Sequence, residues 1–216
     1  MRQERLNDAA ITLSRVLTEN NVKHGLFGGC ATTALGGPSE AKDIDCLVAG
    51  DMQRMLDLLG KDGFRAIPQA GENYVAFSWN DASGGQEKLV PAGAMQSVIP
   101  KVIRVRGERL GEGPTSLLDE VYLFKGKLRA AAVRAKASDA ADITYLVSTL
   151  PDKLRTNANR FDLYYVGLAL KRYPHLLPVI QGIGIDVGAA EGRVKGISLE
   201  TLPPPQPGDI QKNLLE

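Results

Sequence analysis

Cysteine and histidine are nearly absent from this chain, and net charge is close to zero. Two cysteines among 216 residues cannot build a disulfide framework. Cys30 and Cys46 both stand in apolar surroundings and read as reduced core thiols, which fits a cytoplasmic chain. The two histidines, His24 and His175, fall in different halves, so a zinc site or a serine triad lacks the partners it needs. A formal net charge of +1 leaves no overall electrostatic footprint for duplex nucleic acid or for a membrane surface. No apolar run approaches membrane-spanning length. The opening MRQERLNDAA mixes acids with bases ahead of an amphipathic pattern rather than a signal-peptide core, and a cytoplasmic address is expected.

What is present is ordinary for a globular protein: 44% apolar and 24% charged residues, enough to build a substantial core. Leu6, Ala9, Ala10, Leu13, Val16 and Leu17 recur at helical spacing, so the chain opens with a helix that Asn20-Asn21 ends. A short strand over 23–27 stops at Gly28-Gly29. A small-residue helix over 30–35 is broken by Gly36, Gly37 and Pro38. A strand over 43–48 follows, then a helix capped by Asp51 and running to Leu59. The middle is β-rich, with strands over 74–79, 88–90 and 103–106, and a turn cluster over 80–85. The alternation of apolar and basic residues over 103–106 marks an edge strand with one wet face.

Gly111 and Gly113-Pro114 mark the expected internal boundary. Beyond it Ser116 and Asp119 look like a capping box for a helix running from Leu117 to about Lys136. A second helix starts at Ser138 or Asp139 and is stopped by Pro151. Further helices are expected over 160–171 and, despite Pro178, over 176–180. The tail, with Pro203, Pro204, Pro205 and Pro207, reads as an extended arm. The class is therefore α/β (α+β): an α/β core over 1–112, a helical region over 113–201 packed on it, and a proline-rich tail over 202–216.

The chemistry concentrates in HGLFGGCATTALGGPSEAKDIDCLV, residues 24 to 48. Residues two apart on a strand share a face, so Asp43 and Asp45 aim together while Ile44 enters the core. Two like charges on one face repel. A hard divalent cation would compensate them, and Mg²⁺ is held by one or two carboxylates with its remaining ligands taken from water and substrate phosphates. A solvated pair at a strand end is the plainer alternative. Gly28-Gly29 lets a ligand approach the backbone, and a helix starting there would turn free amides toward an anion.

A glycine pair, a short small-residue helix and D-h-D on the next strand resemble the nucleotidyltransferase fold of the polymerase-β type. AKDIDCLV is similar to the form found in small stand-alone members and in AbiEii-type toxins. The resemblance implies a mixed β-sheet core flanked by helices. It also implies an NTP and Mg²⁺ bound together, and an acceptor hydroxyl attacking the α-phosphate. By position, Gly28, Gly29 and Lys42 would face the nucleotide, and Asp43 and Asp45 would be catalytic metal ligands. Residues 123 to 147, LFKGKLRAAAVRAKASDAADITYLV, resemble the K…R…D-x-x-D pattern of AbiEii-like proteins, placing Lys127 and Arg134 as candidate nucleotide contacts. The helical wheel leaves Lys127 open to a second role, pairing with carboxylates inside the fold, and Asp139 and Asp142 read as a cap and a partner for Arg134.

The family presents a third carboxylate from a neighbouring strand. In GGQEKLVPAGA the best register sets Lys88 in that place, with Glu87 beside it as the candidate third acid and Asp81 upstream. Two readings follow. In the first the chain transfers a nucleotidyl group to an acceptor, whether a small molecule, a tRNA end or a protein side chain. In the second the same fold, with a lysine replacing the acid, serves as a nucleotide-binding or protein-interaction module. Oligomeric state is left open.

Overall fold

The computed structural model describes residues 3–60, 63–67, 74–79, 87–204, 210 and 214–215. The chain divides into two units. The first comprises Met1–Gly36, Glu40–Asp119 and Leu215–Glu216; the second comprises Gly37–Ser39 and Glu120–Leu214.

The first unit opens with α1 (Gln3–Glu19), whose Leu6, Ala9, Ala10, Leu13, Val16 and Leu17 are all buried as the helical spacing requires. Asn21, in the left-handed region at φ 54, turns the chain into β1 (His24–Phe27). Then come α2 (Gly28–Ala34), β2 (Ile44–Val48), α3 (Met52–Leu59), β3 (Phe64–Ile67), β4 (Val75–Trp79), β5 (Glu87–Pro91), β6 (Lys101–Arg106) and β7 (Glu112–Leu117). Asp51 caps α3, its carboxylate accepting from Arg54 N at 2.8 Å. The strands form one seven-stranded sheet in the order β3-β4-β5-β2-β1-β7-β6. β2 runs antiparallel to β1 and parallel to β5, and β1 runs parallel to β7, so the sheet is mixed.

Gly113-Pro114 does not end the sheet. Both lie inside β7, where Gly113, Thr115 and Leu117 are buried and Pro114 is exposed. Ser116 is consequently a strand residue rather than a cap: its N–H donates to Ser14 Oγ of α1 at 3.3 Å, and Ser14 and Thr115 hydroxyls bond at 2.9 Å. The expected helix begins only at Glu120, beyond the strand.

The turn joining β6 to β7 is fastened from below by Asp8, which is 1% exposed. Its carboxylate accepts from Arg109 N at 3.0 Å and Leu110 N at 3.0 Å. A Cβ on Gly107 would stand 1.9 Å from Asp8 Oδ1. Gly107→Ala must therefore drive the carboxylate off those amides. A loss of about 2 kcal/mol in unfolding free energy is expected by urea titration, the cost of leaving a buried charged acceptor poorly satisfied.

The second unit is helical: α4 (Glu120–Val133), α5 (Ala137–Thr149), α6 (Pro151–Thr156), α7 (Leu163–Arg172), α8 (Leu177–Gly182) and α9 (Val187–Arg193). Pro151 starts α6 instead of merely stopping α5, and Pro178 sits in the first turn of α8, where the missing N–H has no partner to lose. α7 and α9 meet at Gly167, where a Cβ would be 2.3 Å from Ala190 O. Ala132, Leu168 and Val194 form a buried cluster, with Tyr164, Tyr165, Ile197 and Leu202 packed around it. The tail expected as an extended arm is packed where it is described: Leu202 lies against that cluster, and Leu214 is 1% exposed beside Gly126. Residues 205–209 and 211–213, like the turn cluster over 80–85 with Asp81, lie outside the described residues.

Candidate functional site

Antiparallel pairing of β1 with β2 sets Phe27 beside Asp45, so the end of β1 arrives at the start of β2. There the chain leaves the sheet at Gly28 with φ +70, a conformation that L side chains seldom adopt. A Cβ on Gly28 would stand 2.9 Å from Asp45 Oδ2, so the Asp45 carboxylate rests against bare backbone. Torsion disfavours a side chain at this position, and one placed there would push the Asp45 carboxylate aside. Gly29 is different: the nearest atom to a Cβ there is Ala41 Cα at 4.0 Å. Phe27, the residue capping α2, contributes no side-chain hydrogen bond to the amides that follow.

Asp43 directly precedes β2. Asp43 and Asp45 are half-buried, Ile44 between them is 0% exposed, and Lys42 is exposed. The period of two therefore puts both carboxylates on the side away from Ile44. Thr32 and Thr33 were not singled out in the sequence. Their hydroxyls donate to Gly28 O and Gly29 O, each at 2.9 Å, and so hold the carbonyls of the glycine pair. The signal was available in the spacing, since each threonine lies four residues beyond a glycine on a helix.

On the other side of β2 the parallel register pairs Asp45 with Lys88 and Ile44 with Glu87. Paired rows of a sheet share a face, so the row of Asp45 is continued on β5 by residue 88, and Glu87 occupies the row of the buried Ile44. Among the described residues no cluster of three or more His, Cys, Asp or Glu gathers to hold a metal. The two aspartates nevertheless suit Mg²⁺: both offer hard oxygens, and a cation needing phosphate and water ligands requires no more than one or two carboxylates. The bare backbone at Gly28, where a side chain would collide with Asp45, leaves that carboxylate approachable.

Lys127 and Arg134 belong to a separate constellation within the helical unit. Lys127, 5% exposed, places Nζ 2.6 Å from Asp142 Oδ2 and 3.3 Å from Asp139 Oδ1. Arg134 Nε lies 2.7 Å from Asp139 Oδ2, and both aspartates are 0% exposed. Asp139 pairs with Arg134 as the sequence reading has it, but it does not cap α5, whose N-cap is Lys136 without a side-chain bond, and Asp142 pairs with Lys127 instead.

The remaining sequence candidates resolve into packing. His24 is 3% exposed and faces Val22 O through Nδ1 at 2.9 Å; burial holds its imidazole below the usual pKa, so it stays neutral. Cys30 and Cys46 are buried and form no disulfide, and burial pushes the Cys46 thiol far up. Trp79 stacks at a tilt on Phe64, and Tyr165 carries Arg129 over its ring at 4.6 Å.

The geometry separates the two glycines experimentally. Gly28→Ala will cost about 1–2 kcal/mol from its left-handed torsion alone. If the site is the one the nucleotidyltransferase resemblance implies, displacing the Asp45 carboxylate will also weaken Mg²⁺-dependent nucleotide binding. Gly29→Ala, with open space around it, will leave the melting temperature unchanged or raised, as alanine does in a helix. Thermal melts with and without MgATP read both effects. Identical behaviour of the two variants would sink the assignment of Gly28 to the carboxylate.

No family model and no curated protein sequence matches the chain. Solved structures do. The chain is similar to an antigenic nucleotidyltransferase-like protein from Paracoccidioides brasiliensis, at 15% identity and TM-score 0.58, over 86% of this chain and 96% of that one. It is also similar to the antibiotic-resistance factor ANT(2'')-Ia, at 12% identity and TM-score 0.50, over 82% of this chain and 95% of that one. Likeness at such identities speaks to the fold, and the fold is that of the nucleotidyltransferases.

Proposed function

On this nucleotidyltransferase fold, we propose that the chain transfers a nucleotidyl group from an NTP to an acceptor hydroxyl, using a divalent cation held by Asp43 and Asp45. The single observation that carries the reading is the Asp45 carboxylate lying against the bare backbone of Gly28, with Asp43 two residues away on the same side. A triphosphate can approach the backbone at Gly28 because no side chain stands there beside the Asp45 carboxylate. Exposed Lys42, next to Asp43, supplies a mobile counter-charge to the phosphates. Thr32 and Thr33 hold the glycine carbonyls and so fix the backbone surface on which the phosphates rest.

Mg²⁺ at the two aspartates would neutralise charge on the α-phosphate and orient it. In the transfer, the acceptor oxygen bonds to the α-phosphorus as the bond to the bridging oxygen breaks. Pyrophosphate departs with that electron pair, and the hydroxyl proton passes to solvent or to a base.

A second reading rests on a specific observation: the row of Asp45 continues into Lys88, where the resembled family carries a carboxylate. On that reading the fold binds nucleotide without transferring it. Calorimetric titration of ATP with and without Mg²⁺, followed by incubation of the chain with labelled NTPs and cell extract, separates the two. Magnesium-dependent binding together with a labelled acceptor supports transfer. Binding indifferent to magnesium, with no labelled acceptor, supports the binding module, and absence of any NTP binding overturns both.

A further inference from the structure

One edge of the sheet is β6, and the register defines which of its backbone groups face outward. Arg104 pairs with Pro114, which has no N–H to give. Hydrogen-bonded and non-hydrogen-bonded pairs alternate along an antiparallel ladder, so Arg104 sits in a non-bonded pair, as do Val102 and Arg106. The bonded pairs are then Ile103 with Thr115 and Val105 with Gly113, and the next pair in that series is bonded as required, Gly107 N donating to Gly111 O at 2.8 Å. The N–H and C=O groups of Val102 and Arg104, and the N–H of Arg106, therefore point away from β7. The Arg106 carbonyl is taken by Asn7 Nδ2 at 2.8 Å.

The side chains along this edge are of two kinds. Every charged residue of β6 is a cation: Lys101, Arg104 and Arg106. Arg104 is partly offset by Glu112, with Nε 3.7 Å from Oε2 in an exposed pair. Between and beside the cations stand Val102 at 66% and Ile99 at 84% exposure, among the most exposed large apolar side chains described. Charge on an edge strand commonly serves to repel other strands. Charge used only for that purpose has no need of bare valine and isoleucine in the same strip.

We propose that β6 is a docking edge for an extended acidic segment of a partner protein, which adds as a further strand beyond β6 and lays its carboxylates against Arg104 and Arg106. Main-chain bonds would supply the affinity, and the row of cations the selectivity. Charge argues against a second copy of this chain as the occupant. Antiparallel self-pairing about Arg104 would set Arg104 against its own counterpart, and in-register parallel pairing would oppose every cation to itself. Single-stranded RNA is disfavoured by composition, since residues 99–118 contain no aromatic side chain on which a base could stack.

Hydrogen exchange of the full chain, alone and with a synthetic peptide alternating valine and glutamate, tests the proposal. In the free chain the amides of Val102, Arg104 and Arg106 will exchange fast while those of Ile103 and Val105 are protected; the peptide will protect the first three. Val102→Pro deletes an outward donor without touching the ladder to β7, and Arg104→Glu reverses one charge. Each will weaken the peptide about tenfold by fluorescence anisotropy, with the melting temperature unchanged. Four results would overturn the proposal: no peptide binding, equal binding of a valine–lysine peptide, protection of the same amides by concentration-dependent dimerisation, or oligouridylate binding that Arg104→Glu weakens and Val102→Pro spares.

Discussion

On the proposed function, Asp45→Asn will abolish the stabilisation of this chain by MgATP. Asp43 and Asp45 are half-buried on one side of a strand. Asparagine has nearly the shape of aspartate, so the close packing against Gly28 survives. With a cation at the proposed site the same substitution removes one of the two carboxylates proposed to hold it. Saturating MgATP at a hundredfold over its dissociation constant should raise the stability of the parent by about 2.7 kcal/mol. In Asp45→Asn that increment should vanish, and Asp43→Asn should behave alike. Transfer, where an acceptor is supplied, should fall on the order of a thousandfold, since charge stabilisation by a metal is worth several kcal/mol. Differential scanning fluorimetry across four conditions, with magnesium, with ATP, with both and with neither, reads the stability pattern. A variant that keeps the full magnesium-dependent shift would remove Asp45 from the site.

The elements around this site were legible because each announces itself locally. The helix over Gln3–Glu19 carries an unbroken apolar stripe, Asp51 caps as its position requires, and D-h-D around a buried Ile44 needs nothing but the two-residue period of a strand. What the sequence concealed depended on partners far along the chain. Gly113-Pro114 has the composition of a boundary, yet it forms a strand because β6 offers it a non-bonded position and α1 covers its other face. Pro151 and Pro178 look like breakers until the helix is known to begin there. α9 was missed altogether: seven residues with two glycines carry little propensity, and it persists through the Asp186 cap and close packing at Gly167. Within the site, Gly28 and Asp45 could be named separately, but their contact follows from the antiparallel register. The register of the resembled pattern sets Lys88 in the third-acid position, and the pairing of β5 with β2 puts it opposite Asp45.

The second large effect is expected within the helical unit. Lys127→Met removes the ammonium group and keeps most of the stem, so packing volume changes little. The ammonium is the cation nearest Asp142, whose carboxylate is 0% exposed and whose Oδ1 has no hydrogen-bond partner among the described residues. Asp139 keeps Arg134 at 2.7 Å, but Asp142 is left as a buried charge without its counter-ion. Deleting one member of a buried pair costs about 3–5 kcal/mol, a large fraction of what a domain has. Adding Asp142→Asn to Lys127→Met removes the stranded charge and should recover most of the loss, whereas Asp142→Asn alone, which strands Lys127 against Asp139, should cost less than Lys127→Met. Urea unfolding followed through the helical unit reads this cycle. Nucleotide affinity, measured on the fraction that remains folded, should be unchanged, because the ammonium is already committed to two carboxylates. If instead affinity falls while stability holds, Lys127 serves the phosphates, as the resemblance to AbiEii-type proteins implied, and the ion cluster is only its resting state.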